Sequence, residues 1–170
     1  MRLNNHLQKN IMKKTYLTTL FILISILCFS HSQTAEHNHE NGLLNTELQA
    51  YIITGLKIIV GLSILNVWLI QPNKQTKWRG GSASSISEEF EVYGLSKPFY
   101  FAIFFLKVSL AILLLASIQF DVLTLASSIG LAILLLGSVA MHIKVKDPLI
   151  KSFPAFLFML MNVVIALLSL

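Results

Sequence analysis

Four long apolar stretches, 48–70, 99–118, 122–142 and 153–170, are separated by short polar ones along this chain. Each is about 18 to 23 residues long, and about 20 residues cross the hydrocarbon core of a bilayer. Inside lipid only a helix satisfies its own backbone polar groups along a single span. The pattern therefore predicts an all-α fold, an integral membrane four-helix bundle over 48–170. The turn at Gln119–Asp121 is so short that the second and third spans must be antiparallel neighbours. Small residues punctuate the spans, and Ala126 with Gly130 makes a small-xxx-small pair that permits close helix contact.

The polar insert 71–98 is the longest interruption among these spans. Gly80-Gly81 suits backbone angles that other residues avoid. Ser85 and Glu88 have the spacing of a capping box. Ile86, Phe90 and Tyr93 then recur on one helical face, and Gly94 follows where a helix ends. A short amphipathic helix over 86–93 is expected, lying at the membrane surface or folded against the bundle; an ordinary connector is the alternative. After Asp147-Pro148, Ser152 is expected to cap the fourth helix ahead of Phe153-Pro154.

Ahead of the spans, Lys13-Lys14, an apolar run over 17–29 and Ser30-His31-Ser32 have the three parts of a signal peptide. Residues 1–32 are expected to be that signal, cleaved or retained as an anchor, with Met12 an alternative start. A flexible extracytoplasmic lead is expected over 33–47. His37 and His39, with Glu36 and Glu40, could hold a metal only loosely, and a solvated lead is the simpler reading.

Charge fixes the orientation. Loop 71–98 carries Lys74, Lys77, Arg79 and Lys97, and loop 143–152 carries Lys144, Lys146 and Lys151, whereas 33–47 and the 119–121 turn carry no Lys or Arg. By the positive-inside rule both basic loops are cytoplasmic and both chain ends of the bundle lie outside. The composition agrees with a membrane protein: 55% apolar, 12% charged, mean hydropathy +0.71. The net charge of +5 arises from this topological pattern, so a nucleic-acid partner is not expected. The single cysteine, Cys28, excludes a disulfide or thiolate cluster within one chain.

Lys57 and Lys107 interrupt otherwise apolar spans. A charge at the bilayer centre costs at least ~2.5 kcal/mol on insertion scales and usually faces the bundle interior or water. Counting along the helices places both near the midplane. One reading is a shared polar pocket for an anion or quinone head group, with Asn66, Ser63 and Ser109 nearby; the other is snorkelling of each stem toward an interface. His142 stands at a helix end, and with no second histidine in the spans it reads as structural or interfacial rather than as a haem ligand.

The order Asn66-Val67-Trp68-Leu69, then Thr76-Lys77-Trp78-Arg79-Gly80-Gly81, then Glu89-Phe90-x-x-Tyr93-Gly94-Leu95 resembles the DoxX-like family of four-helix membrane proteins. Met141-His142-x-Lys144, Asp147-Pro148 and Pro154-Ala155 are similar to the end of that family's third helix and its last loop. The resemblance covers about 48–170. It implies a bacterial cytoplasmic membrane location and respiratory or redox neighbours, since the family includes subunits linked to quinol oxidase and thiosulfate:quinone oxidoreductase. Relatives carry a glutamate in the second helix about where Lys107 stands here, so a function resting on that carboxylate is not expected. The expected function is a non-catalytic subunit or accessory protein of a membrane redox complex. The alternative is a quinone-linked oxidoreductase component whose intramembrane pocket uses Lys57, Lys107 and Asn66. Neither catalytic nor metal-binding residues are assigned, and a four-helix transporter is the weaker third class.

Overall fold

Backbone satisfaction inside an apolar run explains the architecture. The computed structural model describes residues 41–170, with side chains from Thr46 onward. The signal segment and the His37/His39 cluster lie outside the described residues. Helix α1 spans Asn41–Leu65 and continues into a π-helical turn, Asn66–Ile70. A short α2, Ile86–Val92, follows, then α3, Lys97–Ala116, α4, Val122–Lys144, and α5, Leu149–Leu168. Four helices are long and apolar enough to cross a membrane: α1 with its extension, α3, α4 and α5. This is a multi-pass membrane architecture, and no strand occurs among the described residues.

Two boundaries differ from those read in the sequence. Helix α1 is already helical at Asn41, the first described residue, within the stretch expected as a flexible lead. Helix α5 begins at Leu149, a turn earlier than expected. Pro148 pre-sets the entry, and Ser152, instead of capping, donates its hydroxyl to the Leu149 carbonyl within the first turn. Pro154 therefore sits inside the helix and removes the amide that the Ile150 carbonyl would have received.

Helix α4 packs against both α3 and α5, as the short α3–α4 turn dictates. At Gly130 an added Cβ would come within 2.9 Å of Leu110 on α3, so the small residue lets the two helices approach. Leu56, Val60, Ile64, Ala111, Leu114, Leu131, Leu135 and Ile165 fill the interior.

The insert folds against the bundle. Ser85 accepts from the Glu88 amide, and Glu88 reaches back to the Ser84 amide and hydroxyl, one residue before the partner a capping box would use. Those bonds hold the Glu88 carboxyl below its ordinary value. Ile86 and Tyr93 are buried, and the Phe90 ring meets Trp68 and Tyr100 at centroid distances of 6.3 and 5.4 Å. The π-turn carries this contact, since Trp68 is its buried residue. The connector alternative is thereby displaced by a docked helix.

Candidate functional site

A cavity of about 360 Å3 lies between the docked insert and α1, α3, α4 and α5. That volume falls in the range of small-molecule sites, roughly 300 to 1,000 Å3. Its walls are chiefly apolar and aromatic, including Trp68, Phe90, Phe99 and Phe158, with a few polar groups at defined places.

Lys107 is one of these. It is 5% exposed, donates to Ser138 Oγ at 2.8 Å and lies 4.9 Å from the Trp68 ring centroid. The ring face attracts the ammonium. Among the described residues no ion pair holds Lys107, unlike the other cations lining the cavity. Arg79 pairs with Glu89 at 3.4 Å, and Lys151 with Asp147 at 3.2 Å.

A hydrogen-bonded network forms the other polar wall, built from the segment before α2, α2 itself, the end of α4 and the start of α5. Glu89 on α2 receives the Gly80 amide at 2.6 Å and the Tyr93 hydroxyl at 2.9 Å. Arg79 also ties down the Gln71 and Pro72 carbonyls, fastening the strap that leads into α2. Gly80 is required for this closeness, since a Cβ there would strike the Tyr93 hydroxyl. Burial first, then the Glu89 charge and hydrogen bond, push the Tyr93 hydroxyl well above its ordinary value, so it stays protonated and donates.

His142, in the last turn of α4, joins the network through Asp147. Its Nδ1 lies 2.9 Å from Asp147 Oδ2, and both Asp147 oxygens accept from the Gly81 amide at 3.0 and 3.1 Å. Burial pushes the Asp147 carboxyl up, but the bonds from His142, the Gly81 amide and Lys151 outweigh it and leave it below its ordinary value. An ionised carboxylate only accepts, so the ring proton sits on Nδ1. Tyr93 donates to Glu89, and its hydroxyl lies 3.3 Å from both His142 ring nitrogens. Lys151 donates to the Gly81 carbonyl at 2.6 Å and Lys144 to the Tyr93 carbonyl at 3.0 Å, so both basic loops are tied to the same cluster.

The sequence-derived candidates separate. Lys107 and Ser63 line the cavity. Lys57 does not: it is 3% exposed and reaches the α3–α4 turn, donating to the Ser117 carbonyl at 3.0 Å and Thr124 Oγ1 at 2.8 Å, with Asp121 at 3.7 Å. Asn66 is exposed and accepts from the Gln71 side chain at 3.0 Å, and Ser109 is exposed. The Tyr93–Glu89 and His142–Asp147 pairs were not singled out by sequence reasoning. Their only signal was that these residues fall in the short patterns that carry the family resemblance.

The profile of the DoxX-like family matches residues 80–170, a stretch that holds the whole network from Gly80 to Lys151. No curated protein and no solved structure matches the chain.

Proposed function

Because the chain belongs to the DoxX-like family, we propose that it is a quinone-binding, non-catalytic component of a redox complex in a bacterial cytoplasmic membrane. Its partners supply the electrons, and the bundle holds the quinone. The observation that carries this reading is the placement of Lys107: a cation with no ion pair among the described residues, held on Ser138 over the Trp68 ring at a chiefly apolar cavity wall. A quinone has the matching form, with a flat ring for the aromatic walls, carbonyl oxygens for the ammonium, and an apolar tail for the lipid. The association of related families with quinone-linked enzymes supports the same choice. In this reading the two basic loops face the cytoplasm, so the polar network closes the cytoplasmic end of the site.

Thermal melting of the detergent-purified protein tests the proposal. A short-chain quinone raises the melting temperature by mass action on the folded state, and Lys107→Leu loses that response while still melting cooperatively. A parent protein whose melting temperature no quinone moves would overturn it.

A further inference from the structure

Some residues of the cavity wall also face outward, and they mark where the cavity reaches the surface. Phe99 on α3 is 45% exposed, Ile133 on α4 is 62% exposed, and Gly137 on α4 is exposed as well. These three come from the two helices that α4 and α3 bring side by side; Val67 of the π-turn, 39% exposed, stands apart from them.

Two glycines of α4 show how the gap forms. At Gly130 an added Cβ would come within 2.9 Å of Leu110, so α3 closes on α4 there. At Gly137 an added Cβ would meet nothing within 4 Å. The two helices touch at the first glycine and leave open space at the second. Phe99, Ile133 and Gly137 all fall within apolar spans, so this opening faces hydrocarbon rather than water.

The ends of the cavity are closed. At one end the insert is tied down, with Lys151 on the Gly81 carbonyl and Lys144 on the Tyr93 carbonyl. At the other, Ala111, one turn beyond Lys107 on α3, is fully buried, as are Leu114 and Leu131. Lys107 reaches across to Ser138, the residue next to Gly137, so its ammonium stands at the level of the opening. At 5% exposure it lies behind that opening and does not fill it.

We propose that the occupant enters sideways from the bilayer, between α3 and α4 past Gly137, and leaves an apolar tail in that gap while its head group sits at Lys107. This rests on the quinone reading and names the class of quinone: one with a long tail, dissolved in the membrane. The volume agrees. About 360 Å3 is at the low end of small-molecule sites, enough for a head group, and a tail has to leave it. A tail that stays in lipid keeps its apolar surface away from water throughout binding.

The test places the full-length protein in lipid nanodiscs with an isoprenoid quinone that carries a photoreactive group on the first units of its tail. Label should fall on Phe99 and Ile133 and be suppressed by excess unlabelled quinone. Label on Val67, or on the exposed Phe101 and Phe105 without suppression, overturns the proposal. Gly137→Leu fills the gap, and Ile133→Trp narrows it from the other position if the first variant fails to fold. In a folded variant the preference for the tailed over the short-chain quinone, read from melting shifts, should fall at least tenfold below the parent's. An unchanged preference overturns the route. A short-chain quinone that still shifts the parent's melting temperature then leaves the quinone reading standing, and a parent that responds to neither quinone overturns both.

Discussion

His142 and Asp147 face each other at 2.9 Å because the backbone between them turns through a left-handed residue, Lys146, at φ +56°. The end of α4 forms a Schellman-type cap: the Asp147 amide bonds the His142 carbonyl and the Lys146 amide bonds the Ile143 carbonyl. Glycine usually occupies the left-handed position of such a cap. A lysine there carries strain, and the strain sits in the turn that swings Asp147 back beneath the histidine ring.

Relieving that strain should stabilise the protein. Lys146→Gly is expected to raise unfolding stability by about 1 kcal/mol, the lower end of the left-handed penalty for a residue with a Cβ. Thermal melting in detergent reads it, and a lower melting temperature would show that the lysine is not strained.

Gly81, at φ +55°, predicts the opposite. Its amide holds Asp147, and Gly81→Ala should cost about 1 to 2 kcal/mol from backbone alone. An added Cβ would also come within 2.7 Å of Val92. The same melting assay should show the loss, with faster proteolytic cutting in 71–85 as the strap loosens. An unaltered melting point would contradict the docking of the insert.

Asp147 also sets a pH dependence. Its carboxyl lies below the ordinary value of 3.8, so the folded state binds fewer protons than the unfolded one. The stability it contributes is complete above that value and is lost as the pH falls through the lower, folded one. Melting temperature should therefore fall on acidification below about 4, and Asp147→Asn should fall less steeply over the same window. Parallel curves for parent and variant would remove Asp147 as the cause.

Lys57 divides burial from exposure. Thr124→Val removes an acceptor from a buried ammonium and should cost about 1 to 3 kcal/mol. Asp121→Asn, whose side chain is 94% exposed, should change stability by less than about 1 kcal/mol. Equal effects would show that the ammonium depends on the ion pair instead.

The four spans were legible because an apolar run of bilayer length has one backbone solution. The inward face of α2 was legible too, since Ile86, Phe90 and Tyr93 recur at helical spacing and are buried or half-buried where they dock. The cost of a charge in lipid left Lys107 two readings, a pocket or a snorkelling stem, and the pocket reading is the one that places it at a cavity wall. Its separation from Lys57 was not legible: helix counting places the two backbones at similar depth, but the flexible Lys57 stem is drawn to the Ser117 carbonyl and Thr124 in the α3–α4 turn. The network around His142 was hidden for a different reason. Its members come from the strap, α2, the end of α4 and the start of α5, and they meet through a left-handed lysine and a helix that starts before its proline. No local pattern announces either feature.

Orientation rests on the charges of the two basic loops. A reporter active only outside the cytoplasm should be silent when fused near Gly81 and active when fused after Leu170. The reverse pattern would put the polar network on the outer side.

Photo-crosslinking tests the central claim, that the cavity holds a quinone, most directly. A quinone carrying a photoreactive group on its ring would be irradiated with the detergent-purified protein and the labelled peptides mapped. Label should concentrate on the cavity wall, at Trp68, Phe90 and Phe158, and excess unlabelled quinone should suppress it. Label on the exposed Phe101 and Phe105 of α3, unmoved by competitor, would contradict the account.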